Sequence, residues 1–164
     1  MSRRGDGSRL PDLGSRGEGW VALQLALFVA VLGAGWRGPP WPSEIRTLTT
    51  VAGLAGVLAG AALSLAGSRA LGSALTPLPR PRDDAAFREV GVYAFVRHPI
   101  YGGVLLLVLG VSLLSSPLAL IPTALLVLLF EGKRRREEAW LVEHYAEYGS
   151  YRSRVRRRFW PFLW

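Results

Sequence analysis

The chain has no cysteine, one methionine and two histidines in 164 residues. The missing cysteine excludes disulfides and thiolate chemistry. His98 and His144 alone argue against a histidine-rich metal site, so no metal is expected. Acidic residues are the scarcer charge, 12 against 20 basic ones, for a net charge of +8. Such a balance fits a nucleic-acid binder, but a nucleic-acid binder has no need of several uninterrupted apolar spans. Here half of the residues are hydrophobic, and the charges are segregated from the apolar runs. That is the pattern of an integral membrane protein with basic loops, and nucleic acid is not an expected partner.

The length is that of one domain. Residues 1–19 hold four arginines and little to bury, which predicts a disordered basic cytoplasmic tail before a membrane domain over 20–164. Ser2-Arg3-Arg4 has the look of a twin-arginine signal, but no A-x-A-like cleavage site follows the apolar run at 20–36. An uncleaved first span is expected there, with Trp20 and Trp36 at the two membrane interfaces. The prolines of 37–43 forbid helix. A second span is expected at about 48–71, where Gly53, Gly56, Gly60 and Gly67 would let another helix approach closely.

The apolar run 100–130 is too long for one crossing. Ser115-Ser116-Pro117 supplies a turn, giving spans at about 100–114 and 118–132 whose apolar arms are both short. The second arm is expected to continue as helix beyond Phe130, its basic residues reaching for the headgroups. The spacing Leu141, His144, Tyr145, Tyr148, Tyr151 extends the helical pattern into an interfacial segment. The fold expected is an all-α, polytopic membrane helical bundle of about four spans, with a C-terminal hydrophobic hairpin followed by an interfacial helix.

Basic residues set the orientation. The tail has four, the next loop Arg37 and Arg46, and the third segment Arg69, Arg80, Arg82, Arg88 and Arg97. The hairpin turn has none, and 133–158 has nine. Alternate segments are rich and poor, so both termini and the two feet of the hairpin are predicted to face the cytoplasm.

Those feet carry the chemistry. At one, Arg97-His98-Pro99 opens the third span, with proline where its missing N–H is harmless. Free backbone N–H groups and the helix dipole, with Arg97 and His98 beside them, suit a carboxylate or phosphate. At the other, Glu137 and Glu138 would suit an ammonium or ribose hydroxyls; ion pairing at i,i+4 with Lys133 and Arg134 is the plain structural alternative. Together the feet describe a pocket for a zwitterion.

The set Gly91-Val92-Tyr93, Arg97-His98-Pro99-x-Tyr101-x-Gly103, an apolar hairpin, Glu137-Glu138-x-x-Leu141, Tyr148-x-x-Tyr151 and Arg158-Phe159-Trp160-Pro161 resembles the isoprenylcysteine carboxyl methyltransferase and phospholipid methyltransferase superfamily. The likeness covers about residues 70–164. It implies an integral membrane enzyme using S-adenosylmethionine, bound through segments 85–103 and 133–155. Tyr93, Arg97, His98, Pro99, Ile100, Tyr101, Glu137 and Glu138 are the cofactor-binding residues implied, and Arg134 or Lys133 would face the methyl acceptor. The acceptor implied is a lipid or lipid-like molecule, such as an isoprenoid-linked carboxylate or a phospholipid amine. No general base is assigned and no obligate protein partner is inferred. A noncatalytic membrane assembly protein that keeps the hairpin is the rival reading. A small transporter is disfavoured, since the spans offer only Gln24 and scattered Ser and Thr as polar groups.

Overall fold

The computed structural model describes residues 11–81 and 86–160. Residues 1–10 of the expected tail, Ala85 of the expected cofactor segment and Pro161 of the last motif lie outside them. Among the described residues the fold is all-helical, with no strand and five α-helices: α1 (Glu18–Arg37), α2 (Ser43–Leu71), α3 (Pro99–Ser115), α4 (Leu120–His144) and α5 (Tyr148–Arg154). By length and apolar composition, α1 and the segment Ser43–Ala74 are each able to cross a membrane.

The first four helices alternate in direction. The ring of Trp20, at the start of α1, faces Gly132 of α4, and Gly67, late in α2, faces Ile100 at the start of α3. At the opposite end, Gly35 and Gly38 lie against Ser115 and Ser116 between α3 and α4. There Trp41 donates its indole N–H to the Ser112 carbonyl at 3.3 Å. One end of the bundle therefore gathers the start of α1, the end of α2, the start of α3 and the charged half of α4. Trp20 is buried against α4, and Trp36 is 90% exposed.

The glycines of α2 are the tightest joint of the bundle. A Cβ on Gly60 would stand 2.5 Å from the Gly103 carbonyl and 2.5 Å from the Leu107 nitrogen; one on Gly53 would stand 2.9 Å from the Gly110 carbonyl, and one on Gly56, less tightly, 3.3 Å from the Gly110 Cα. Backbones this close gain dispersion contacts that do not depend on a hydrophobic effect, which is weak between helices in lipid. The small-residue stripe read from the sequence is thus a specific seam with α3. A core of Val31, Leu105, Val108, Ala119, Leu126 and Phe130 fills the centre. Outside it, Leu25, Val29 and Leu32 of α1, Leu48, Val51 and Leu58 of α2, and Ile121, Leu125 and Leu128 of α4 are exposed. An apolar girdle of this extent is at odds with an aqueous surface.

α4 runs unbroken through the point where its apolar residues give way to charge. The helical spacing that predicts one continuous segment to Tyr151 is interrupted: α4 ends at His144, Tyr145 turns extended, and α5 begins at Tyr148. The break swings α5 back towards the loop before α3, where Tyr151 Oη donates to the Tyr93 carbonyl at 2.8 Å.

Candidate functional site

The feet of α3 and α4 meet. The route starts with Gly91, whose φ of 60° begins a tight 3₁₀ turn, Gly91–Ala94, in a region most residues avoid. The chain then enters α3 through His98. Residues 155–158 fold back onto it: the Arg97 and His98 amides donate to the carbonyls of Arg157 and Arg158 at 3.1 and 2.8 Å. Gly102 is required here, because a side chain would collide with the Phe159 carbonyl.

Glu138 is the centre of a buried charge cluster. Its carboxylate receives Arg97 Nε at 2.9 Å and His98 Nε2 at 3.1 Å on one oxygen, with Arg134 Nη1 at 3.1 Å and Arg152 Nε at 3.5 Å on the other. Burial by itself would raise this carboxyl. The hydrogen bond and charge of His98, with Arg97 and Arg134, outweigh burial and hold it well below the usual carboxylate range. Arg97 also donates to the Val155 and Arg156 carbonyls at 2.6 and 2.9 Å. Glu138 therefore organises the site from behind.

Its neighbour has a different role. Glu137 accepts from the Tyr101 hydroxyl, stands 4.0 Å from His98 Nδ1, and faces a cavity of about 360 Å³. Burial pushes its carboxyl upwards, against the opposing pull of His98, Tyr101 and Lys133. The ring of Tyr101 stacks on His98 at 5.4 Å and 10°.

Of the residues singled out from sequence, Tyr93, Arg97, His98, Ile100, Tyr101, Lys133 and Glu137 line this cavity. Pro99, Arg134 and Glu138 stand behind its wall. Arg134 is committed to Glu131, at 2.6 Å, and to Glu138, so the helical ion pairing considered as the plain alternative exists, but buried. Further lining comes from Gln24 of α1, the proline-rich loop at 77–81, and Phe87, Tyr145, Tyr148 and Tyr151. Phe87 joins the three tyrosines at centroid distances of 5.2 to 5.8 Å. The sequence signal for α5 was the Tyr148-x-x-Tyr151 spacing, and for Gln24 its isolation as a polar group in an apolar span. Phe87 gave none. The hydroxyl of Tyr148 is buried without a hydrogen-bond partner, a costly arrangement unless a ligand supplies one.

The profile of a family of methyltransferases matches at this point: the phospholipid methyltransferase model covers residues 48–148. The chain belongs to the phospholipid methyltransferase family. No curated protein and no solved structure matches the chain. The match takes in α2, α3, α4 and the cavity-forming loop between α2 and α3, so it begins earlier than the motifs at 70–164 and includes the glycine seam. The family's chemistry is methyl transfer to a lipid-type acceptor, and the apolar girdle fits its membrane setting.

Proposed function

We propose that residues 20–164 form a polytopic membrane methyltransferase that binds S-adenosylmethionine in the cavity between the feet of α3 and α4. The observation that carries this reading is one cavity lined by Lys133 and Glu137, one turn apart on α4, and by Tyr148, whose hydroxyl has no partner in the protein. These groups fit a zwitterionic nucleoside. Glu137 suits an ammonium or ribose hydroxyls, the cationic wall suits a carboxylate, and Tyr93, Phe87 and Tyr145 offer faces to a flat base or a sulfonium. The donor supplies an electrophilic methyl group on positively charged sulfur.

The chain's own residues then bind, orient and exclude water, which is most of what such a transfer asks of a protein. Tyr93 and Tyr148 stay protonated, because burial raises both phenols and neighbouring glutamates add to it. They act as hydrogen-bond donors, not bases.

The acceptor in this reading is a lipid or lipid-like molecule, an isoprenoid-linked carboxylate or a phospholipid amine, entering from the bilayer beside α3 and α4. Four spans are assigned, with α3 and α4 as the short pair and α5 at the interface. The cavity faces the cytoplasm on the count of basic residues: Arg16, Arg69, Arg80 and the run at 133–136 lie at its end of the bundle, against Arg37 and Arg46 at the other. Incubating membranes that contain the protein with a methyl-radiolabelled donor should place label in a lipid fraction. Folded protein that neither binds the donor in detergent nor labels any lipid would leave a noncatalytic membrane role.

A further inference from the structure

Lys133 differs from every other cation at the site. It is the single lysine beside nineteen arginines, and it is 2% exposed. Arg97 and Arg134 are each matched by carboxylates. Lys133 instead donates to two neutral oxygens, Gln24 Oε1 at 2.8 Å and the Pro77 carbonyl at 3.1 Å. Its ammonium lies 5.1 Å from the centroid of the Tyr101 ring and 5.8 Å from that of Phe130. Among the described residues it has no carboxylate within ion-pairing distance, the influence of Glu137 being felt at longer range.

An ammonium has three donors, and two are used. Carbonyl oxygens and ring faces stabilise a buried cation without cancelling its charge. The positive charge therefore stands at the wall of the cavity, which Gln24, Pro77 and Lys133 all line. A glutamate at position 24 would hold the ammonium more strongly but neutralise it. Glutamine holds it and leaves the charge intact.

We propose that Lys133 receives an anionic group of the bound ligand, a carboxylate or a phosphate, and that Gln24 is the positioning residue that fixes its ammonium for the purpose. The inference rests on the methyltransferase reading above. It makes α1, which precedes the matched residues 48–148, a working part of the site. The anion has two possible sources, the amino-acid carboxylate of the methyl donor or the acidic head of the lipid acceptor.

The test uses the full chain in detergent with Lys133→Met, Gln24→Leu and Gln24→Glu. Titration with S-adenosylmethionine and its decarboxylated analogue probes the donor. Retention of short-chain phosphatidic acid and of oleate probes the acceptor side. If the donor carboxylate is the partner, Lys133→Met and Gln24→Glu each weaken S-adenosylmethionine binding at least tenfold, Gln24→Leu less, and the decarboxylated analogue binds all four proteins alike. If the acceptor head is the partner, donor affinity is unchanged and lipid retention falls tenfold in the same two variants. A lysine with only a structural role gives a different order: Gln24→Glu melts at or above wild type and binds every probe as wild type does. That result overturns the proposal. Folded wild type that fails to bind the donor refutes the methyltransferase reading separately, and the lipid arm then decides the role of Lys133 by itself.

Discussion

His98 Nε2 lies 3.1 Å from Glu138 Oε1, across 40 residues of sequence. This contact ties the start of α3 to the charged half of α4 and sets the spacing of the cavity walls. Glu138 serves several cations at once, so its removal strands them together inside the protein.

Glu138→Ala should accordingly lower the unfolding free energy in detergent by about 3–5 kcal/mol, the range for breaking a buried ion pair from one side. Donor affinity should fall with it. His98→Ala removes one partner of the cluster and should cost less stability, while still reducing affinity. Thermal unfolding read beside calorimetric binding separates the two effects. Wild-type stability in Glu138→Ala would mean that the cluster does not hold the feet together.

Acid should empty the cavity before it unfolds the bundle. The folded Glu138 carboxyl is depressed below its ordinary value of 4.5. Its contribution to stability is complete above that value and is lost only as pH falls through the lower, folded one. Glu137 is raised above 4.5 by burial, so it is protonated first on acidification, and its protonation relieves a penalty of burial. Ligand affinity measured downwards from neutral pH should decline while the melting temperature still holds. Affinity and stability lost at the same pH would contradict the division of labour between the two glutamates.

Tyr148→Phe separates binding from folding in another way. The hydroxyl has no partner in the protein, so its deletion should leave stability unchanged or slightly improved. Loss of one neutral hydrogen bond to a ligand should weaken donor binding by about 1 kcal/mol, roughly fivefold. Equal affinity in the two proteins would remove Tyr148 from the site.

Gly60→Leu should be far more damaging than a change at a free glycine. A side chain at Gly60 drives into the backbone at Gly103 and Leu107, whereas nothing lies within 4 Å of a Cβ on Gly33. Overpacking of this kind costs about 1–3 kcal/mol or more, and the site should loosen with the seam, since α3 carries His98. Gly33→Ala should melt like wild type. Comparable losses in both variants would show that the glycine contacts of α2 and α3 are not specific.

Lys133 offers a chemical check, being the one lysine present. Reductive methylation with formaldehyde should modify its peptide slowly in the free protein and more slowly still with S-adenosylmethionine bound. Mass spectrometry of that peptide reads the difference. A rate indifferent to the donor would place the donor away from Lys133 and leave the acceptor head as the anion to test.

Much of the molecule follows from residues in sequence. Apolar runs of helical length between proline-rich breaks define the first two helices within a few residues, because helix in an apolar run satisfies every backbone group by itself. Ser116-Pro117 ends α3 where the chain must leave the helix. Local motifs also nominated the part of the cavity wall formed by the feet of α3 and α4, since a helix start and a pair of acids carry their chemistry wherever they stand. What two adjacent glutamates would each do was not legible. At neighbouring helical positions their side chains point about 100° apart, and only the packing of 155–158 and α5 turns one towards His98 and three arginines and the other to the cavity.

The sequence by itself determined that apolar helices alternate with basic ends, since hydropathy, proline placement and charge act over short stretches of chain. Only the tertiary structure decided that Gln24, Pro77 and Lys133 meet. Their approach depends on how α1, a long loop and α4 pack at one end of the bundle, and no local preference of the backbone encodes that distance.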